Sequence, residues 1–80
     1  MTIAIDAVQE TIRAYLLNAE VGPEAITGSA QLDDLDIDSI DIVNIVMELK
    51  EKYGAVIQRS EIEGITLDGL AALTVQRSVR

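Results

Sequence analysis

Apolar residues recur along this chain at helical rather than strand spacing, in three blocks separated by turn-forming residues. In the first block Ile5, Val8, Ile12, Tyr15 and Leu16 share one side, while Gln9, Glu10 and Arg13 fall on the other. That pattern predicts an amphipathic helix from Thr2 to about Leu17, with Thr2 as its cap. The second block runs from Ile40 to Tyr53 and stops at Gly54, a residue suited to a helix C-terminus. The third carries Leu67, Leu70, Leu73 and Val75 behind a capping Thr66. Gly69, Ala71 and Ala72 suggest close packing there, and Arg77 and Arg80 suit the negative end of the helix.

The connections are polar or short. Asn18 to Gln31 holds Gly22-Pro23, Thr27-Gly28 and Ser29, all turn formers. Val21, Ile26 and Leu32 are the apolar points that would pin this long loop to a core. Ala55-Val56-Ile57 reads as a short apolar crossing. Ser60-Glu61-Ile62-Glu63 predicts a single helical turn, capped by Ser60 and ended at Gly64. The expected fold is all-α, a small bundle of three main helices plus a short extra helical turn, in one domain over residues 1–80.

The second helix has more apolar surface than a small bundle requires. Ile42, Ile45, Val46, Leu49 and Tyr53 form a stripe that should face the core, and Asp41, Asn44, Glu48, Glu51 and Lys52 form a polar arc. Ile40, Val43 and Met47 widen the apolar arc beyond the roughly 100° usual for a surface helix. Spacing alone leaves two readings open: the whole arc is core, or this flank is a contact surface. At the start of the helix Asp38 is the better N-cap, because Asp41 stands at the partner position of a capping box. Ser39 is then the first helical residue, and its hydroxyl is free to project outward.

Composition narrows the chemistry. The 80 residues are 49% hydrophobic with few aromatics, enough for one aliphatic core and too apolar for a disordered acidic tail. The net charge of −8 argues against nucleic acid and anionic membranes and favours partners with basic patches. Asp33, Asp34, Asp36, Asp38 and Asp41 cluster around Ser39. No apolar run approaches a membrane span and no basic signal-peptide head opens the chain, so a cytoplasmic protein is expected. Without cysteine or histidine there is no disulfide framework, no thiolate metal site and no base for a serine hydrolase. Asp34, Asp36 and Asp38 mimic the opening of a calcium-binding loop, but Ser39 stands where its glycine belongs and Ile45 where its closing glutamate belongs. No catalytic residue is assigned.

Asp36-Ile37-Asp38-Ser39-Ile40-Asp41, followed by Val43, Val46-Met47, Leu49 and Tyr53-Gly54, resembles the acyl carrier protein family. The likeness extends to the upstream Leu32-Asp33-Asp34-Leu35, the length, the element order and the acidity. It implies a phosphopantetheine arm, derived covalently from coenzyme A, attached to Ser39, whose phosphodiester would sit at a helix N-terminus. Asp38 would meet a basic surface on a phosphopantetheinyl transferase. The arm would supply the thiol that the chain lacks and carry an acyl group as a thioester. Ile40, Val43 and Met47 match positions where carriers offer apolar contacts, which favours the contact reading of that flank. Asp41, Glu48 and Glu51 would form an acidic rim for basic docking patches on an acyl-loading ligase or acyltransferase, a ketosynthase or another acyl-processing enzyme. A monomer without membrane insertion is expected.

Asn44 and Lys50 depart from the family, standing where fatty-acid carriers commonly have acids. They favour a dedicated pathway, such as polyketide or specialised lipid assembly, over general fatty-acid synthesis. Ile45, Leu49, Ile62, Ile65 and Leu70 are the positions best placed for an acyl sleeve. Ile62 is bulky where the family often has a small residue, so the sleeve should be shallow or closed. The alternatives are an unmodified acidic helical interaction module and a peptidyl or aminoacyl carrier.

Overall fold

In the computed structural model, which describes residues 4–35 and 37–78, three α-helices enclose an aliphatic core. They are α1 (Ile5–Asn18), α2 (Ser39–Tyr53) and α3 (Leu67–Arg77). Single 3₁₀ turns lie at Pro23–Ala25, Leu32–Asp34 and Arg59–Glu61. Two of them fall between α1 and α2, where the sequence predicts no helical turn. The all-α expectation holds, and no strand forms among the described residues.

Helix α1 starts later than its periodicity suggests. Ala4 is its extended N-cap, without a side-chain bond, and Thr2 lies outside the described residues. Val8, Thr11, Ile12 and Leu16 are buried, whereas Ile5 is exposed. The helix ends without a glycine: Glu20 takes a left-handed φ of 69°, so that the Val21 N–H reaches back to the Leu16 carbonyl at 3.0 Å.

The long loop is held at both ends. Val21, Ile26, Leu32 and Leu35 enter the core. A strand-like rung pairs Gln31 with Thr66, and the Leu32 N–H donates to the Ile65 carbonyl at 2.9 Å. Further along, the Leu67 N–H donates to Ala30 at 2.9 Å and the Asp68 N–H to Gly28 at 3.0 Å. These bonds satisfy orphan donors at the start of α3, which Thr66 caps by accepting from the Gly69 N–H at 3.0 Å. Gly28 passes so close to Asp68 that a Cβ there would lie 2.2 Å from Oδ2.

Beyond α2, Gly54 adopts the left-handed conformation, φ 71°, expected of a helix stop. Ala55 and Ile57 of the crossing are buried, and Val56 is exposed. The short turn that follows corrects the expected cap. Gln58 precedes the turn, its N–H donating to the Glu61 carboxylate at 2.9 Å, and Ser60 lies inside it. Glu61 is fixed from α3 by Arg77, which donates to both carboxylate oxygens and to the Val56 carbonyl. A carboxylate locked in that position caps the turn from its third residue and leaves Ser60 no role. Gly64, φ 72°, closes the segment as expected.

Helix α3 buries Leu67, Leu70, Ala71 and Thr74, with Leu73 and Val75 half-buried. Thr74 satisfies its hydroxyl on the Leu70 carbonyl at 2.8 Å. Ala72 is exposed, and Arg80 lies outside the described residues. No helix among those described is long and apolar enough to cross a membrane.

Candidate functional site

The start of α2 is built by local backbone chemistry. Asp38 is extended, and its Oδ1 accepts from the Asp41 N–H at 3.0 Å. Ser39 is therefore the first helical residue, exposed, and among the described residues its Oγ has no protein hydrogen-bond partner. The remaining first-turn N–H groups and the helix dipole favour an anion on that hydroxyl.

The acids around Ser39 are less idle than their sequence suggests. Asp38 caps α2. Asp33 accepts from the Gly64 N–H at 3.1 Å, tying the loop before α2 to the turn before α3. Asp41 is half-buried and accepts from the Tyr15 hydroxyl at 2.9 Å, while Asn44 Nδ2 donates to the same hydroxyl at 3.1 Å. Asp34 is exposed, and Asp36 lies outside the described residues. Of the expected acidic rim beyond Asp41, Glu48 pairs with Lys52 at 3.5 Å and Glu51 is exposed. An exposed pair of that kind adds little stability, so these side chains remain available to other cations.

The apolar arc of α2 divides. Ile42, Ile45 and Leu49 are buried and Val46 and Tyr53 half-buried. Ile40, Val43 and Met47 are exposed to 68%, 46% and 52%, so the flank beside Ser39 is not part of the core. Val56, 58% exposed on the crossing loop, is a further apolar surface residue.

A groove of about 100 Å³ runs along this flank, walled by Ile42, Val43, Val46 and Met47 of α2 and by Ile57, Arg59 and Ile62 opposite. Of the five positions expected to form an acyl sleeve, Ile62 lines this groove. Ile45, Leu49 and Leu70 are core residues, and Ile65 is half-buried beside them. Helical rotation places Val43 and Val46 within about 40° of Ser39 around the α2 axis. The groove thus continues from the serine along the same side of the helix. A second hollow, about 260 Å³, lies away from α2 between α1, the long loop and the start of α3, lined by Glu10, Arg13, Gly28 and Asp68 among others. Among the described residues no cluster of acids is arranged to hold a metal ion.

Sequence reasoning missed the bonds of Tyr15 to Asp41 and of Asn44 to Tyr15, and the place of Arg59 on the groove. Tyr15 had a visible signal, a polar-tipped aromatic at the edge of a buried stripe. Arg59 had none beyond following the apolar crossing.

The family of the phosphopantetheine attachment site matches residues 7–74, nearly the whole of the described chain. The chain belongs to the acyl carrier protein family. Curated relatives share that name: an acyl carrier protein of Lactobacillus acidophilus is 40% identical over 65% of this chain and 66% of its own length. One of Renibacterium salmoninarum is 39% identical over 70% of this chain and 73% of its own, and one of Rubrobacter xylanophilus is 44% identical over 60% and 54%. The aligned stretch thus spans between about half and three quarters of these relatives. No solved structure matches the chain. Family membership makes phosphopantetheine the cofactor and places the chain among carriers rather than enzymes.

Proposed function

We propose that residues 1–80 act as one carrier domain that holds acyl or other biosynthetic intermediates as thioesters on a phosphopantetheine arm at Ser39. The observation that carries this reading is the division of labour at α2: Asp38 occupies the cap, which leaves the Ser39 hydroxyl exposed at a helix N-terminus and without a hydrogen-bond partner among the described residues. In the loading step, Ser39 Oγ forms a phosphodiester with the phosphopantetheine phosphate of coenzyme A. Adenosine 3′,5′-bisphosphate leaves, and the hydroxyl proton passes to the transferase. Asp38 presents its second carboxylate oxygen to that enzyme's basic surface. The residues offered to later partners are Ile40, Val43 and Met47 as apolar contacts, with Asp41, Glu48 and Glu51 around them. A loading ligase or acyltransferase and a ketosynthase or similar enzyme would dock here, in the cytoplasm, on a monomeric carrier.

Asn44 and Lys50 interrupt the acidic surface, which supports a dedicated polyketide or specialised lipid pathway over a general fatty-acid one. The groove is too small for a long chain, which agrees with a short or polar cargo.

Incubation with coenzyme A, magnesium and a broad-specificity phosphopantetheinyl transferase tests the assignment by intact mass. One arm should be added to the wild type and none to Ser39→Ala. No addition with several transferases would overturn the carrier reading in favour of an unmodified interaction module. Addition to Ser39→Ala would move the site.

A further inference from the structure

The exposed part of α2 carries opposite charges on its two sides. Measured as rotation about the helix axis from Ser39, Val43, Met47 and Ile40 lie at roughly 40°, 80° and 100°. These three are the exposed apolar residues of the helix. Glu51, Glu48 and Asp41 lie beyond them, at roughly 120°, 180° and 200°. That is the side toward α1, where Asp41 meets Tyr15. Lys50 falls on the other side of the stripe, at roughly 20°, and about 16 Å along the axis from Ser39.

The groove adds a second cation to the Lys50 side. Arg59 stands on the wall that faces Val43 and Met47, and it alone among the lining residues is charged. Lys50 and Arg59 are both exposed, and neither is in an ion pair among the described residues. Lys52, over on the acidic side, is paired with Glu48 at 3.5 Å. The apolar stripe is thus bordered by carboxylates toward α1 and by two cations toward the groove.

Unlike borders give a docking face a direction. An enzyme with lysines and arginines on both sides of its apolar contact meets like charge at Lys50 and Arg59, and like-charge juxtaposition costs binding. An enzyme with acids on that side gains at both borders. We propose that Lys50 and Arg59 determine partner choice. The face fits an enzyme surface with an apolar contact for Val43 and Met47, basic residues opposite Glu48 and Glu51, and acidic residues opposite Lys50 and Arg59. The proposal rests on the carrier reading of Ser39 and names the partner class of that same site.

The test uses the arm-bearing protein, checked by intact mass, with a malonyl transferase whose docking patch is basic throughout. Lys50→Glu and Arg59→Glu, both at exposed positions, should each raise kcat/KM for malonyl transfer about fivefold at low salt, through KM. The gain should shrink at high salt. Arg13→Glu makes the same change in net charge at an exposed residue of the hollow away from α2, and it should leave the rate as it is. Single lysines or arginines of the transferase's patch are then reversed to glutamate. At least one such reversal should speed transfer to the wild type and slow transfer to Lys50→Glu. Absence of a gain from Lys50→Glu or from Arg59→Glu, an equal gain from Arg13→Glu, or absence of that crossover would overturn the partner assignment alone. Failure of the protein to accept the arm would overturn the carrier reading, and this proposal with it.

Discussion

The Tyr15 hydroxyl donates to the Asp41 carboxylate at 2.9 Å, fastening the last turn of α1 to the first turn of α2. Asn44 Nδ2 donates to the Tyr15 hydroxyl oxygen from one turn further along α2. The candidate attachment serine is two residues from Asp41, so the bond sets how the start of α2 stands against the bundle.

Replacing Tyr15 with Phe removes that fastening and leaves the ring in place. The cost should be about 1.5–3 kcal/mol, typical of a hydrogen bond to a charged group, measured by urea unfolding. The Tyr15 pKa is raised from its ordinary 10.0: the Asn44 bond alone would lower it, but burial, the Asp41 bond and the charges of Asp41 and Asp38 together outweigh that bond. A raised folded-state pKa means that this contribution is complete below pH 10 and disappears as pH climbs through the higher folded value. Wild type should therefore lose its advantage over Tyr15→Phe only in strongly alkaline solution.

Glu61 and Arg77 predict the opposite dependence. The Arg77 hydrogen bonds, helped by the Gln58 N–H, hold the Glu61 carboxyl below its ordinary value of 4.5. A depressed folded-state pKa supplies stability that is present above the unfolded value and lost as pH falls through the folded one. Melting of the wild type should drop more steeply than that of Arg77→Gln as pH is lowered below about 5. Parallel curves would show that the pair contributes nothing across this range.

Gly28 should resist even alanine. The new Cβ would meet the Asp68 carboxylate at 2.2 Å, and rotating that carboxylate away sacrifices the bond it accepts from Gln9 at 3.0 Å. Gly28→Ala should cost about 1–2 kcal/mol. Asp68→Ala should recover much of that loss when combined with it, because the clash is with that side chain. A double-mutant cycle in denaturant reads the coupling directly.

Polar substitution of the exposed stripe should separate stability from carrier activity. Val43→Thr and Met47→Gln remove apolar surface that already faces solvent, so the unfolding free energy should change by no more than about 0.5 kcal/mol. Transfer of an acyl group by a partner enzyme should slow about tenfold or more, if one apolar anchor is worth 1–2 kcal/mol of docking. An unchanged transfer rate would remove the stripe from the docking surface.

Much of the site was legible in the chain itself, because local sterics and local hydrogen bonds determine it. The Asp38 cap three residues before Asp41, the release of Ser39, the left-handed stop at Gly54 and the Thr66 cap each depend on a few neighbouring residues. The buried positions of α2 followed from the 3.6-residue period, and the three apolar points of the long loop from their isolation among turn formers. Where two elements compete for one group, the sequence was silent. Whether Ile40, Val43 and Met47 were covered depended on where α1 and α3 stand, and both leave that flank open. Ser60 looked like a cap until Arg77, sixteen residues beyond Glu61, fixed the carboxylate that caps the turn instead. Likewise, Asp33 and Asp41 read as solvated charge because their donors, the Gly64 N–H and the Tyr15 hydroxyl, lie 31 and 26 residues away. A helical period records which side of a helix is apolar, and a capping motif records which local donor can be met. Neither records what a distant helix brings to the same spot, and only packing of the three helices decided that.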